Sequence, residues 1–349
     1  MGYKVAITGL YGTGSSAVID ILRGSSECFH KTEYEYEHMF LYNPNSIFDL
    51  EYKLLFNNDV HRSNEAIKSF YKEMKRLNDN DFGWFGSYGK MFGNRFMNIV
   101  NRFINGLIHY QTDLISYADY DKVKFSIMKL FLQLAAKILQ GRKIHKWGRK
   151  YVFTKDSKKQ VLSFPTEDEF YKLSKEFIDE YIELFSQNER ITILDHFVLP
   201  HHLHKVDKYF DNTYKFIHVV RDPRDLFIMN KYVWKSSNAF PTDVNVFCEY
   251  FKKTRQYLKY SDNESIMTVY FEDLIYKTDE TINKIKEFCH INGDINFKYF
   301  DVKKSINNTQ NFLIDPQWNE EVKCIEKELC EYLYNFPFSR KPNKKDTFE

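Results

Sequence analysis

The sequence predicts a three-layer α/β/α fold with a mainly parallel central sheet, and three observations carry that reading. The chain opens with a short β-type apolar run, Val5-Ala-Ile7, passes through a loop holding Gly9, Gly12 and Gly14, and continues as a helical stretch with Val18, Ile19 and Leu22 on one face. Beyond residue 190, strand-like runs at 191–194, 214–220 and 265–270 alternate with helical stretches, the grammar of parallel strands joined by right-handed crossovers. The residues suited to chemistry fall at the carboxyl ends of these strands, where open α/β sheets bind ligands. The 349 residues suit one large domain over 1–349, with 80–160 as a helical insertion or subdomain within it.

The first loop sets the chemistry. From Gly9 to Ser16 it reads G-x-x-x-x-G-S-S, which makes the fold P-loop-containing, with Ser15 standing where the phosphate-gripping lysine belongs. Glycines let backbone N–H groups approach an anion, the helix N-terminus favours negative charge, and Ser15 and Ser16 add hydroxyl donors. The missing lysine argues against ordinary ATP or GTP chemistry, not against phosphate. The plain alternative is a glycine-rich turn that only joins strand to helix.

Composition narrows the class. A hydrophobic share of 43% suits a globular chain, and a formal charge of +2 excludes a generally basic nucleic-acid binder. The five cysteines are scattered, odd in number and without a C-x-x-C pair, as expected of a reducing compartment with no structural zinc site. The chain enters its first strand within a few residues of Met1, so no cleavable leader is expected. The most apolar window, 125–139, is interrupted by Lys129 and Lys137 and is too short to span a bilayer. A cytoplasmic protein without a transmembrane segment is the expectation, with peripheral membrane contact left open.

A second strand is expected over 27–31, then an acidic-aromatic run, Glu33-Tyr-Glu-Tyr-Glu-His38, then a helix capped by Ser46. Helical spacing continues over 64–78. Residues 82–93 set four glycines among aromatic side chains, suiting either a mobile wall of a binding site or an irregular packed loop. Helices follow over 94–110 and 122–140. Lys and Arg then crowd 137–159 against Asp156 alone, a solvated face or an entrance for an anion.

The regular grammar resumes at Thr166, which forms a capping box with Glu169 and opens a helix through Tyr181. The strand 191–194 ends at Asp195-His196, and a short helix over 200–210 leads to the strand 214–220. Helices 223–236, 242–259 and 279–289 surround the strand 265–270, and the tail from Arg340 is expected to fray. Among the ionisable groups, His196, His201, His202 and His204 invite a metal reading, but no cysteine joins them and their ordered spacing lies within one short helix, so no metal is expected.

The second motif is Phe216-Ile-His-Val-Val-Arg-Asp-Pro-Arg-Asp225. Asp222 suits an N-cap and Pro223 the first helical position, which fixes Arg221 between a strand end and a helix N-terminus. A guanidinium there suits a phosphate monoester, or alternatively a structural pair with Asp225. A lysine-free glycine loop followed about two hundred residues later by this motif resembles the sulfotransferases that use 3′-phosphoadenylyl sulfate (PAPS). Val269-Tyr-Phe-Glu-Asp-Leu274 resembles that family's strand-Tyr-Glu-Asp-Leu-helix segment, and Lys304-Ser-Ile-Asn-Asn-Thr-Gln-Asn-Phe312 a cofactor-binding segment of its bacterial carbohydrate-modifying members. The likeness covers about 1–30 and 190–312.

Carried over by position, the resemblance implies that Gly12, Thr13, Gly14, Ser15 and Ser16 hold the 5′ phosphosulfate. Arg221 would bind the 3′-phosphate, and Ser305 and Asn308 would complete the 3′ or adenine side. The general base falls at His196, with Glu37 as the alternative; an imidazole titrating near neutrality can take a proton from an attacking hydroxyl. Two positions depart from the family pattern: Gly12, where Lys or Arg is common, and Met229, where serine is common. Asn230, or a cation from 142–159, is the expected replacement donor. The function implied is transfer of a sulfuryl group from PAPS to a hydroxyl of a carbohydrate or glycolipid acceptor, with adenosine 3′,5′-bisphosphate as product and no metal. The alternatives are a P-loop kinase using ATP and a catalytically silent member that binds nucleotide or a partner. His196→Ala separates the leading reading from the silent one.

Overall fold

The computed structural model describes residues 2–32, 36–112, 131, 134–135, 144–147, 150–153, 160–187, 190–235, 240–256, 258 and 263–342. The chain forms two compact units, one from Met1–Tyr42, Asp81–Ser87 and Asp179–Glu349, the other from Asn43–Asn80 and Tyr88–Ile178. In chain order the strands are β1 (Lys4–Gly9), β2 (Cys28–His30), β3 (Tyr110–Thr112), β4 (Ile144–Trp147), β5 (Lys150–Phe153), β6 (Gln160–Leu162), β7 (Ile191–Asp195), β8 (Tyr214–Val220) and β9 (Ile266–Tyr270).

The first unit holds a five-stranded sheet in the order β2-β7-β1-β8-β9, parallel at every pairing. Its central strands are hydrophobic on both faces because both are covered. On one face Val5, Ile7, Ile193, Ile217 and Val219 pack into a common core with Val18, Ile19 and Leu22 of the helix Ser15–Leu22 and with Ile282 and Ile285 of the helix Thr278–Phe288. On the other, Phe216 meets Phe210 at 5.1 Å between ring centroids, and Phe210 meets Phe197 at 5.7 Å. The central sheet thus lies between two layers, as the periodicity predicted.

Local chemistry fixes the helix ends. Asp222 caps the helix Pro223–Ile228 by accepting the N–H of Arg224 at 2.8 Å, with Pro223 in the first turn. The expected helices over 223–236 and 242–259 are shorter: the first ends in a π turn over Met229–Val233, the second runs Val244–Arg255. The stretch 200–210 is a 3-10 turn, Pro200–Lys205, followed by one α turn, Val206–Tyr209.

Residues 81–87, the first half of the expected glycine-aromatic wall, are stitched down. Glu37 N–H donates to Trp84 O at 2.8 Å and Tyr36 Oη to Gly86 O at 2.5 Å. The expected fraying does not begin at Arg340 itself, which donates from its backbone to Gln310 Oε1 at 2.9 Å and from Nη1 to Ile306 O at 2.8 Å; residues 343–349 lie outside the described residues. Partners far away in sequence supply bonds that a local reading cannot see.

The second unit is mainly helical. The helix Val60–Asp79, capped by Asp59, packs Phe70 against Phe103 of the helix Arg95–Leu107 at 5.4 Å, and Phe103 against Phe177 at 5.0 Å. Thr166 and Glu169 exchange their capping-box bonds at the start of the helix Glu167–Glu183. Two antiparallel pairs, β3–β6 and β4–β5, were not anticipated; Tyr110, Gln111 and Thr112 fell where a helix was expected to fade. The insertion expected over 80–160 overlaps this unit, which draws also on 43–79 and 161–178. The helix expected over 122–140 lies outside the described residues apart from three, and so does most of the basic run 137–159.

Truncating one ring of the Phe70–Phe103–Phe177 cluster tests this packing. Phe103 is 3% exposed, and Phe103→Ala is expected to cost about 3–5 kcal/mol. A urea midpoint within error of the parent would show that the cluster contributes nothing.

Candidate functional site

The strand β1 delivers the chain into a loop that folds on itself. Thr13 donates to Leu10 O from both its N–H, at 3.1 Å, and its Oγ1, at 2.8 Å. Gly12 and Gly14 take φ values of 76° and 87°, the left-handed region. A Cβ on Gly14 would stand 2.5 Å from Phe271 Cδ2, and one on Gly12 would stand 3.1 Å from the Trp234 ring. Trp234 therefore covers the spot from which a longer side chain at position 12 would leave the loop.

At the end of β8, Arg221 is 6% exposed. Its Nη1 donates to Gly12 O at 3.0 Å and its Nη2 to Asn308 O, while the guanidinium lies 4.8 Å from the Phe271 ring centroid. Two of five N–H donors are so committed, and buried Nε has no hydrogen-bond partner. The second arginine of the motif is structural: Arg224 is bound to Asp222 at 2.8 Å and to Glu326 at 2.9 Å. Asp225 accepts the N–H groups of Gln310 at 2.8 Å and Asn311 at 2.6 Å, which turns the C-terminal segment toward Arg221. Burial pushes the Asp225 carboxyl up to about 7, against the pull of Arg221.

At the end of β7, His196 N–H extends the ladder to Ile7 O at 2.8 Å, and its φ is 44°. Its ring Nδ1 lies 2.6 Å from Asp195 Oδ1, and the other oxygen of this fully buried carboxylate accepts Tyr36 N–H at 3.0 Å. A carboxylate can only accept, so Nδ1 carries a proton, and in the neutral ring the lone pair is on Nε2.

These elements wall one cavity of about 890 Å³, a volume suited to a nucleotide-sized ligand. Of the residues singled out from the sequence, Gly12, Gly14, Ser15, Ser16, Glu37, His196, Arg221, Ser305 and Asn308 line it. Thr13 does not; it is buried and acts by closing the loop. Asn230 does not either: it is fully buried and donates to Phe240 O at 3.2 Å, while Met229 takes the wall. Successive residues of a helical turn point about 100° apart, so the neighbour of a wall residue faces elsewhere. Sequence reasoning missed Lys304 as a lining cation and Tyr11, Trp234 and Tyr299 as lining rings. Lys304 opens the quoted C-terminal segment and was visible there; the rings carried no local signal. Among the described residues no group of three or more His, Cys, Asp or Glu is placed to hold a metal ion.

A glycine loop, a buried arginine and a carboxylate-held histidine at the carboxyl edge of a parallel sheet define an α/β protein with its candidate site at that edge. Within that class the chain belongs to the sulfotransferase domain family, whose model matches residues 3–329. It is 29% identical over 151 residues to mouse (Mus musculus) Sulfotransferase 2A1, a match covering 37% of this chain and 52% of that protein. The aligned part thus spans about half the length of that relative. Among solved structures, the sulfotransferase domain of the Synechococcus PCC 7002 olefin synthase matches at 11% identity and a TM-score of 0.35, covering 97% of this chain and 90% of that one. The sulfotransferase domain from the curacin biosynthetic pathway matches at 12% and 0.36, covering 97% and 99%. Sulfotransferase STF9 from Mycobacterium avium matches at 10% and 0.35, covering 98% and 79%.

The buried carboxyl of Glu272, beneath the Asp222 cap, has a pH signature. Glu272 is fully buried and accepts Asp222 N–H at 2.9 Å; burial, then repulsion from Asp222, raises its carboxyl from 4.5 to about 8. A carboxyl raised on folding supports the fold while protonated. That contribution is complete below its unfolded value of about 4.5 and is lost as pH rises through about 8. Glu272→Gln keeps an acceptor for Asp222 and removes the titration. Its melting temperature should match the parent near pH 5 and exceed it by several degrees at pH 8.5; parallel curves would overturn the assignment.

Proposed function

We propose that this chain transfers the sulfuryl group of PAPS to a hydroxyl of a carbohydrate or glycolipid acceptor, releasing adenosine 3′,5′-bisphosphate. The observation that carries the reading is the meeting of the glycine loop, Arg221, the 304–308 segment and His196 on one cavity. The loop and the N-terminus of Ser15–Leu22 suit the 5′ phosphosulfate, with the hydroxyls of Ser15 and Ser16 at the first turn. Arg221, with Nη hydrogens left over from its two carbonyl bonds, suits the 3′-phosphate that distinguishes this donor from ATP, with Ser305 and Asn308 beside it.

In the transfer, the acceptor oxygen forms its bond to sulfur as the bond from sulfur to the phosphate oxygen breaks. The hydroxyl proton passes to His196 Nε2, and the phosphate leaves with the bonding electrons. Asp195 fixes the tautomer and supports the imidazolium that results. Glu37, which lines the same cavity, is the alternative acceptor of that proton. Lys304 brings a positive charge to a site whose loop lacks one. No metal enters this reading. The rings of Tyr11 and Trp234 offer flat apolar faces for a sugar. A cytoplasmic setting fits five free cysteines, and among the described residues no helix is long and apolar enough to cross a membrane.

Adenosine 3′,5′-bisphosphate at a hundred times its dissociation constant is expected to add about 2.7 kcal/mol of stability without added metal. ADP and ATP should add much less, and Arg221→Ala should erase the difference. Stabilisation by ATP alone would favour the kinase. His196→Ala and Asp195→Asn are expected to lower turnover by about 10² or more while leaving bisphosphate affinity within about twofold. Full turnover in both variants would pass the base to Glu37.

A further inference from the structure

We propose that Arg340, in the C-terminal tail, is a positioning residue of the donor site, holding in place the segment that carries Lys304, Ser305 and Asn308 to the cavity. The proposal rests on the donor reading above.

That segment has little regular structure of its own. It consists of one α turn, Val302–Ser305, one 3-10 turn, Ile306–Asn308, and a left-handed residue, Gln310, with φ of 57°. A chain of this kind keeps its shape only through bonds from elsewhere. From the sheet side, Arg221 holds Asn308 O and Asp225 holds the N–H groups of Gln310 and Asn311. From the tail, Arg340 Nη1 donates to Ile306 O at 2.8 Å and Nη2 to Asn307 Oδ1 at 2.5 Å. Its backbone N–H donates to Gln310 Oε1 at 2.9 Å, and Gln310 Nε2 donates in turn to Phe338 O and Tyr276 Oη, both at 3.0 Å. Two guanidinium groups therefore hold carbonyls two residues apart, Ile306 by Arg340 and Asn308 by Arg221.

The consequence is a coupling. Asn308 O is one of the two carbonyls that orient Arg221. Loosening the 306–310 turn releases one arm of the Arg221 fork, so the cost falls on recognition of the 3′-phosphate more than on the rest of the nucleotide. Arg340 itself is not among the residues lining the cavity, so it acts through the turn.

The test uses the full chain, with Arg340→Ala and Arg340→Lys, the latter keeping charge without the planar fork. Titration with adenosine 3′,5′-bisphosphate and with adenosine 5′-monophosphate gives the 3′-phosphate preference as a ratio of dissociation constants. Hydrogen exchange over 302–310 reports the turn without ligand. In Arg340→Ala we expect bisphosphate affinity to fall about tenfold, the preference to shrink by a similar factor, and 302–310 to exchange faster. The monophosphate should change little, the PAPS KM should rise with kcat near the parent value, and Arg340→Lys should fall between. Unchanged affinity in Arg340→Ala, or equal loss for both nucleotides, overturns the positioning role. If the parent chain itself shows no preference for the bisphosphate, the donor reading fails first and this role falls with it. That outcome is told apart by the parent titration alone.

Discussion

A buried guanidinium has to be satisfied on several sides at once, and Arg221 imposes that requirement on three parts of the chain. It sits at the end of β8, holds the carbonyl of Gly12 in the first loop, and holds the carbonyl of Asn308 almost ninety residues further on. An unpaired charge in that position would cost several kcal/mol, so the loop and the C-terminal segment cannot settle independently. The buried acidic side chains beside it lean on backbone donors as well. Asp225 and Glu272 stay buried because backbone N–H groups fill part of their acceptor capacity and Arg221 lies close by.

The sheet order sorts the roles of the site. With β1 in the middle, its glycine loop occupies the centre of the carboxyl edge. β7 and β2 on one side bring His196, and Glu37 just beyond β2. β8 and β9 on the other bring Arg221 and Phe271. His196 and Arg221 thus reach the cavity from opposite sides of the loop. His196 pays for its place with a left-handed backbone, which the bond to Ile7 O and the clamp of Asp195 hold against strain.

Gly12 illustrates how packing constrains chemistry. With φ in the left-handed region and the Trp234 ring against it, this position accepts no long cationic side chain without moving the ring. Positive charge reaches the cavity from Arg221 and Lys304 instead, both on the β8–β9 side or beyond it in sequence. The loop gives shape and N–H donors, and the later half of the chain gives the charge.

Much of this was legible in the sequence because it rests on local rules. Alternating strands and helices, the glycine spacing of 9–16, the Asp222-Pro223 cap and the Thr166–Glu169 box each depend on residues a few positions apart, and each recurs in the structure. What escaped depends on partners far away. Asn230 beside Met229 looked equivalent until the helical turn aimed one at the cavity and the other at Phe240. Thr13 looked like a ligand donor until its hydroxyl turned to Leu10 O. Arg340 looked frayed until the 306–310 turn supplied its acceptors. The sequence by itself determined the parallel α/β architecture and which strand ends meet at one cavity, since periodicity and capping are encoded residue by residue. Only the tertiary structure decided which side chains face the cavity and what holds them there, because burial and hydrogen-bond partnership arise when distant segments meet.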